Sequence, residues 1–261
     1  MTRRQGPTKV LLMAAGLGTR LRPLTDKTPK CLIPVAGKPL MDYWIDEFAN
    51  AGLSEVLINT HYQRDQVCAH MNAINRQVWR GGQRVSVREA YEPELLGSAG
   101  TIHANRAWAD DAGDILIVYA DNLSSVPLNE LIAFHRSHND PLTMMLFRTE
   151  VPERCGIAEV DADMKIVSFV EKPSNPVDNF ANAGIYVVQA EAYREMADMA
   201  AFDIGTDLLP RFVGRMRGWD WPGYHRDIGT HESLALAEQD VAAGCLAPGY
   251  RRTVNWVRPT C

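Results

Sequence analysis

The chain has 261 residues, is 46% hydrophobic and 23% charged, and carries a formal net charge of −5. This is an ordinary soluble globular composition, long enough for one large or two small domains and read here as one spanning 1–261. The acidic balance excludes a general nucleic-acid footprint, and five scattered cysteines without a CxxC pair exclude a disulfide framework.

Two arginines near the start are not followed by the apolar core of a signal peptide, and no apolar run approaches about 18 residues. A cytoplasmic protein with no membrane partner is expected. Residues 10–13 form an apolar run that reads as a buried strand. Side chains then shrink at Ala14, Ala15, Gly16 and Gly18, so that main-chain N–H groups can approach an anion or a planar base. Thr19 adds a hydroxyl and Arg20 a fixed cation. Lys30 offers a second cation, in a loop whose Pro23, Pro29 and Pro34 argue against a continuous helix. The turn is neither a Walker A loop nor a dinucleotide fingerprint, because no third glycine and no Gly-Lys-Ser/Thr follows it.

Residues 40–51 have helical spacing with Gly52 as a stop, and 55–59 read as a second strand. Strand, helix and strand of these lengths make a βαβ unit, which implies a parallel sheet covered by helices. A helix is expected over 61–80, a strand over 85–88, a helix from 100 to 108 and a third central strand over 115–119. Before that last helix, Gly97 and Gly100 flank Ser98 and Ala99, again leaving backbone open. The third strand ends on Asp121, at the edge that faces the ligand crevice of an open α/β sheet. Asp121 is therefore either a metal ligand or the cap of a turn.

Residues 128–138 continue as a helix, where His135 and His138 lack an apparent third ligand and fit a solvated face better than a zinc site. Strands follow at 142–148, 157–160 and 165–170, the last leading into Glu171-Lys172-Pro173, which on its own reads as a surface ion pair. A helix with an apolar face is expected over 203–213 and another over 232–243. No internal repeat is present, and the basic, aromatic tail within 244–261 is unassigned.

Taken together, G-x-G-T-R-L-x-P-L-T from Gly16, Pro29-Lys30, and P-V-x-G-K-P from Pro34 resemble the signature of the sugar-1-phosphate nucleotidylyltransferases. Cys31 stands where those enzymes more often have proline. Glu171-Lys172-Pro173, the N-A-G-I-Y run from Asn182, and D-I-G-T from Asp227 resemble further motifs of the family, so that the likeness spans roughly 10–239 in the expected order. The segment around Gly97 resembles the form seen in mannose-1-phosphate guanylyltransferases, here without an appended β-helix.

The resemblance implies a Rossmann-like three-layer α/β/α fold with a mixed, mostly parallel sheet. It implies an enzyme that joins a nucleoside monophosphate from an NTP to a sugar 1-phosphate and releases pyrophosphate, with Mg2+ as cofactor; the oligomeric state stays open, with a homodimer as the commonest default for a soluble enzyme. On that reading Ala14, Ala15, Gly16, Gly18, Thr19, Glu92 and Gly97 hold the nucleotide. Gly100, Glu171, Asn182 and Gly184 line the sugar, Arg20, Lys30 and Lys172 hold phosphates, and Asp121 and Asp227 share the metal. Ala120 replaces the glycine that usually precedes the first aspartate. An acceptor-only Glu92 suits the donors of a guanine edge, which favours GTP. Uridylyl or thymidylyl transfer, and a catalytically silent nucleotide-sugar sensor, are the alternatives.

Overall fold

In the computed structural model, which describes residues 6–79 and 82–251, the first apolar run lies within strand β1 (Thr8–Met13). Val10, Leu11 and Leu12 are wholly buried. A continuous apolar run, rather than an alternating one, is what a strand covered on both faces requires. The chain then passes through a small hairpin, β2 (Pro34–Val35) and β3 (Lys38–Pro39), into α1 (Leu40–Asn50), β4 (Glu55–Thr60), α2 (Arg64–Ile74) and β5 (Ser86–Tyr91). Next come α3 (Gly97–Ala104), β6 (Asp114–Tyr119), β7 (Asn122–Ser124), α4 (Leu128–Ser137) and β8 (Leu142–Arg148). The remainder is β9 (Gly156–Val160), β10 (Ile166–Glu171), β11 (Phe180–Gln189), α5 (Ala190–Ala197), α6 (Leu209–Phe212), β12 (Met216–Asp220), β13 (His225–Asp227) and α7 (His231–Ala242).

β1 pairs in parallel with β4 on one side and β6 on the other, and β5 extends the parallel row beyond β4. β11 lies antiparallel to both β6 and β8, β12 runs parallel to β8, and β9 and β10 form an antiparallel pair beside β11. In this nine-stranded sheet only β10 and β11 oppose the other strands, so the sheet is mixed and mostly parallel, as expected.

Alternation along β1 divides the core. Leu11 and Met13 face one apolar cluster with Ile102, Tyr186 and Tyr193, while Val10 and Leu12 face another with Trp44, Phe48 and Ile132. Helices therefore cover both sides of the sheet. A third, smaller cluster joins Leu21 and Val35 to Leu123, Ile228 and Leu234. It supports a two-stranded antiparallel ribbon made of β7 and β13, which lies outside the main sheet.

Several expected elements are shifted. The helix expected over 61–80 occupies only Arg64–Ile74. It stops because the Asn75 side chain bonds both the N–H and the carbonyl of Val87, acting as a short piece of strand beside β5. That strand, expected to end at 88, stays in register with β4 as far as Tyr91. The helix expected from 100 to 108 starts at Gly97 and is followed by a separate turn over Arg106–Ala109. The apolar segment at 203–213 is a wide turn, Ile204–Leu208, followed by α6, with Ile204, Leu208, Leu209 and Phe212 all buried.

His135 is not on a solvated face. It is wholly buried, its Nδ1 lies 2.8 Å from Thr143 Oγ1, and its other nitrogen faces Asp114. Of the unassigned tail, Cys245 is buried and Tyr250 packs edge-on to Tyr224, so residues 244–251 lie against the third cluster. Residues 252–261, and the start of the chain at 1–5, lie outside the described residues.

Candidate active site

The carboxyl ends of β1, β4 and β6 open onto a pocket of about 330 Å³ lined by Ala14, Ala15 and Gly16, by Lys30 and Asp121, and by Asn59, Glu92 and Gly97. The shrinkage of side chains after β1 has the expected effect at Gly16, where a Cβ would meet nothing within 4 Å. Gly18 serves the backbone instead. It has φ +63, and a Cβ there would lie 2.8 Å from Thr25 Cγ2. Thr19 and Arg20 then form an exposed 3₁₀ turn, Thr19–Leu21.

Asn59 organises the pocket floor, and its role was not visible from the sequence. At the end of β4 its Oδ1 accepts the Ala14 N–H, while its Nδ2 donates to Glu92 Oε1 at 2.9 Å and to Thr101 Oγ1 at 3.1 Å. Glu92 is 2% exposed, and its Oε1 also accepts the Thr101 hydroxyl. Among the described residues its Oε2 takes only a long bond, 3.3 Å, from the Leu96 N–H. A carboxylate has about four acceptor positions, so the free capacity of Glu92 is concentrated on Oε2.

The ribbon brings the two aspartates together. Pairing of β13 with β7 sets Asp227 opposite Asn122, and the Ile228 N–H donates to the Asp121 carbonyl at 2.8 Å. Lys30, 9% exposed, places its Nζ 2.6 Å from Asp121 Oδ2. Burial pushes the Asp227 carboxyl above its usual range and the Asp121 charge adds to this, with Lys30 and Arg20 opposing it. Arg20 reaches the same point from the other side. A Cβ on Gly229 would lie 2.4 Å from Asp227 Oδ1 and 2.7 Å from an Arg20 guanidinium nitrogen.

Among the described residues no group of three or more His, Cys, Asp or Glu side chains converges as a metal cage. Two carboxylates set side by side by the ribbon, with Asp227 raised by burial and then by the Asp121 charge, would nevertheless suit a magnesium ion, which commonly needs only one or two protein carboxylates. Cys31 lines the pocket next to Lys30 as a closed, inert surface, its thiol pushed up to about 12 by burial.

Glu171 and Lys172 lie at the end of β10, with Lys172 Nζ 3.7 Å from Glu171 Oε1. Lys172 is 66% exposed at its side chain and adopts φ +49, a left-handed backbone that a non-glycine residue rarely holds. Its N–H is fixed by the Cys155 carbonyl at 3.0 Å. Glu171 is raised by burial, lowered by Lys172 and raised again by Asp203.

Asn182 and Gly184 sit on β11 where its pairing with β8 skips register. There the Asn182 side chain bonds the Gly184 N–H and the Tyr186 hydroxyl, at 2.9 and 2.7 Å. Gly184, at φ +68, lets this bulge pass the Tyr119 ring, which a Cβ would approach to 2.5 Å. Gly100 of α3 packs against Leu96, and it is Gly97, Ser98 and Thr101 of that helix that line the pocket.

Sequence reasoning also missed Tyr119, Phe202 and Asp203, which complete the pocket wall. The Ala99 N–H donates to the Phe202 carbonyl, Ser98 Oγ donates to Asp203 Oδ2 at 3.0 Å, and the Ile204 N–H donates to Ser98 Oγ at 2.8 Å. These bonds stitch the segment before α6 onto the start of α3.

Comparison with known proteins places this architecture. A family model described as Nucleotidyl transferase matches residues 9–244. A putative mannose-1-phosphate guanyltransferase of Sulfolobus acidocaldarius is 30% identical over 203 residues, covering 78% of this chain and 54% of its own length. The mannose-1-phosphate guanyltransferase of Pichia angusta is 30% identical over 226 residues, covering 85% of this chain and 60% of its own. The chain thus spans little more than half the length of these relatives. Among solved structures, a putative glucose-1-phosphate thymidylyltransferase from Bacillus anthracis has a TM-score of 0.78 at 20% identity, covering 94% of this chain and 98% of its own, a likeness of fold. The chain therefore belongs to the nucleotidyl transferase family, as the motifs beginning at Gly16, Glu171, Asn182 and Asp227 implied.

Proposed function

We propose that this chain transfers a nucleoside monophosphate, preferentially from GTP, to a sugar 1-phosphate and releases pyrophosphate. The observation that carries this reading is the meeting of Asp121, Asp227, Lys30 and Arg20 beside the pocket of the glycine-rich turn. The preference for GTP is supported by relatives named as mannose-1-phosphate guanyltransferases and by an acceptor-only Glu92 with capacity left on Oε2.

A sugar phosphate is mostly dianionic near neutral pH, so its oxygen can attack the α-phosphorus without a general base. The obstacle is repulsion between anions, and fixed cations in an in-line arrangement reduce it. Arg20 and Lys30 hold the triphosphate and stabilise the departing pyrophosphate, and Lys172 holds the attacking phosphate. Glu171 and Asn182 orient the sugar. Asp121 and Asp227 would hold a magnesium ion, which supplies further charge neutralisation at the reacting phosphates.

The test is pyrophosphate release with magnesium across GTP, UTP, dTTP, CTP and ATP, each against a panel of sugar 1-phosphates that includes mannose and heptose. Release with GTP supports the whole reading. Release with UTP or dTTP alone keeps the transfer and discards the base assignment, and silence throughout favours a nucleotide-sugar-binding regulator.

A further inference from the structure

Asn59 lies one residue before the end of β4, buried beneath the pocket that it helps to line. Its carboxamide can be oriented in one way only. The Ala14 N–H can only donate and therefore faces Oδ1, while the acceptor-only Glu92 carboxylate faces Nδ2. The second Nδ2 hydrogen goes to Thr101 Oγ1 at 3.1 Å. Both donors are thereby spent inside the protein, and Asn59 reaches a ligand only through the groups it holds.

The end of β4 grips the backbone of Glu92 as well. The Glu92 N–H donates to the Thr60 carbonyl at 2.8 Å, and His61 Nδ1 lies 2.8 Å from the Glu92 carbonyl oxygen. Three consecutive residues thus fix one glutamate. Among the described residues the donors to its carboxylate are all neutral: the Asn59 amide and the Thr101 hydroxyl on Oε1, and the distant Leu96 N–H on Oε2. A lysine or arginine in their place would compete for Oε2. Neutral donors hold the carboxylate and leave its charge for a ligand.

We infer that Asn59 is the positioning residue for base selectivity, tying the Glu92 carboxylate to the glycine-rich turn so that the base and the phosphates of one nucleotide are met in fixed register. This rests on the reading of Glu92 as the group that meets the base. Of the common bases only guanine carries two adjacent donors on its pairing edge, so an acceptor fixed in place selects it. A carboxylate free to turn loses that preference. The Oδ1 arm carries the other half of the coupling, because Ala14 opens the turn and moves with the amide.

Two substitutions divide the amide. Asn59→Asp keeps an acceptor for the Ala14 N–H and removes the donors to Glu92, whereas Asn59→Leu removes both arms. The readout is the ratio of kcat/KM between triphosphates of equal ring size and opposite pairing edge, GTP against ATP and UTP against CTP. In the pair that contains the preferred triphosphate, Asn59→Asp should lower this ratio on the order of 10-fold or more, the scale of a hydrogen bond to a charged group. The KM for the sugar 1-phosphate should stay within about twofold of wild type. Asn59→Leu should lower the ratio as far and also raise the KM of every triphosphate, whatever its base. Thr101→Val takes the other donor from Oε1 and leaves the Ala14 bond in place. It should move the ratio in the same direction, and it decides the matter if neither variant at 59 gives a folded protein in urea melts.

An unchanged ratio in the folded variants, or a kcat lowered equally with both members of a pair, is what a merely structural residue would give and overturns the inference. So does a wild type without preference in either pair. A wild-type preference for UTP over CTP discards guanine as the base, and the same ratio still decides the role of Asn59. If wild-type protein releases pyrophosphate with no substrate pair, the transferase reading fails. Calorimetric affinities for GDP, ADP, UDP and CDP then replace kcat/KM: a ratio that collapses in Asn59→Asp upholds the role of Asn59, and one that does not overturns it.

Discussion

Asp121 and Lys172 illustrate two ways in which a single residue is prepared for charge. Asp121 is held by the Lys30 ammonium at 2.6 Å, while Lys172 is exposed on a left-handed backbone and pairs with Glu171. If Asp121 holds a magnesium ion and Lys172 the attacking phosphate, Asp121→Ala and Lys172→Ala should each lower kcat by a factor on the order of 10² or more, comparable to losing one preorganised electrostatic partner. Steady-state pyrophosphate release by folded variants measures this, and near wild-type turnover in either would remove that residue from the mechanism. Gly97 makes a steric demand instead. At φ +74 a Cβ would lie 2.3 Å from the Phe202 carbonyl oxygen, so Gly97→Ala combines left-handed strain with a backbone clash. A loss of at least about 1–2 kcal/mol in denaturant unfolding is expected from the strain alone.

At the level of elements, α2 is fastened to β5 by the fork of Arg64 on Glu89, with both oxygens engaged at 2.7 Å. The Arg64 guanidinium holds the Glu89 carboxyl down to about 2 against the effect of burial, with smaller help from Thr60 and Cys68. Because the folded value lies below the ordinary 4.5, this stabilisation is present above pH 4.5 and is lost as pH falls through about 2. The difference in stability between wild type and Glu89→Gln should therefore be greatest above pH 4.5 and vanish near pH 2. Urea melts at stepped pH values measure it, and a difference independent of pH would contradict the cause given.

Elements also differ in how far the sequence exposed them. β1 and β6 were legible because strands buried on both faces are apolar throughout, and α1 because six of its residues bury on one face. The ribbon was not, since β7 and β13 are three residues each, too short for any period. Asp121, Lys30 and Asp227 could be named from their motifs, but the contact between the first two spans 91 positions of chain. Asn59 and Asp203 carried no motif, and Ser98 was legible only as part of the segment around Gly97. Ser98 and Asp203 meet across 105 positions, and nothing local in the sequence signals such a bond.

Over the whole molecule, two large cores hold the sheet and a third holds the ribbon. Leu234 on α7 belongs to this third core with Leu123 and Ile228, and it touches the proposed chemistry only through them. Leu234→Ala should cost about 2–5 kcal/mol as a buried large-to-small change, at the lower end because the side chain is 9% exposed. It should also reduce kcat more than either KM, because the ribbon it supports carries Asp227 and adjoins Asp121. A variant that melts earlier yet turns over normally would show that the ribbon keeps its shape without α7.

The same ribbon sets an order of assembly. β1, β4, β5 and β6, with the glycine-rich turn at their ends, come from the first 119 residues and pair in parallel among themselves. The second aspartate arrives only when β13 closes a loop of about a hundred residues onto β7, Tyr224 and Ser124 being 100 positions apart. Such long-range closures are among the slower events of folding and, held by a small core, among the first to reopen. A chain that loosens locally at this point would retain its glycine-rich turn while separating the two carboxylates, and would lose the proposed activity well before its sheet came apart.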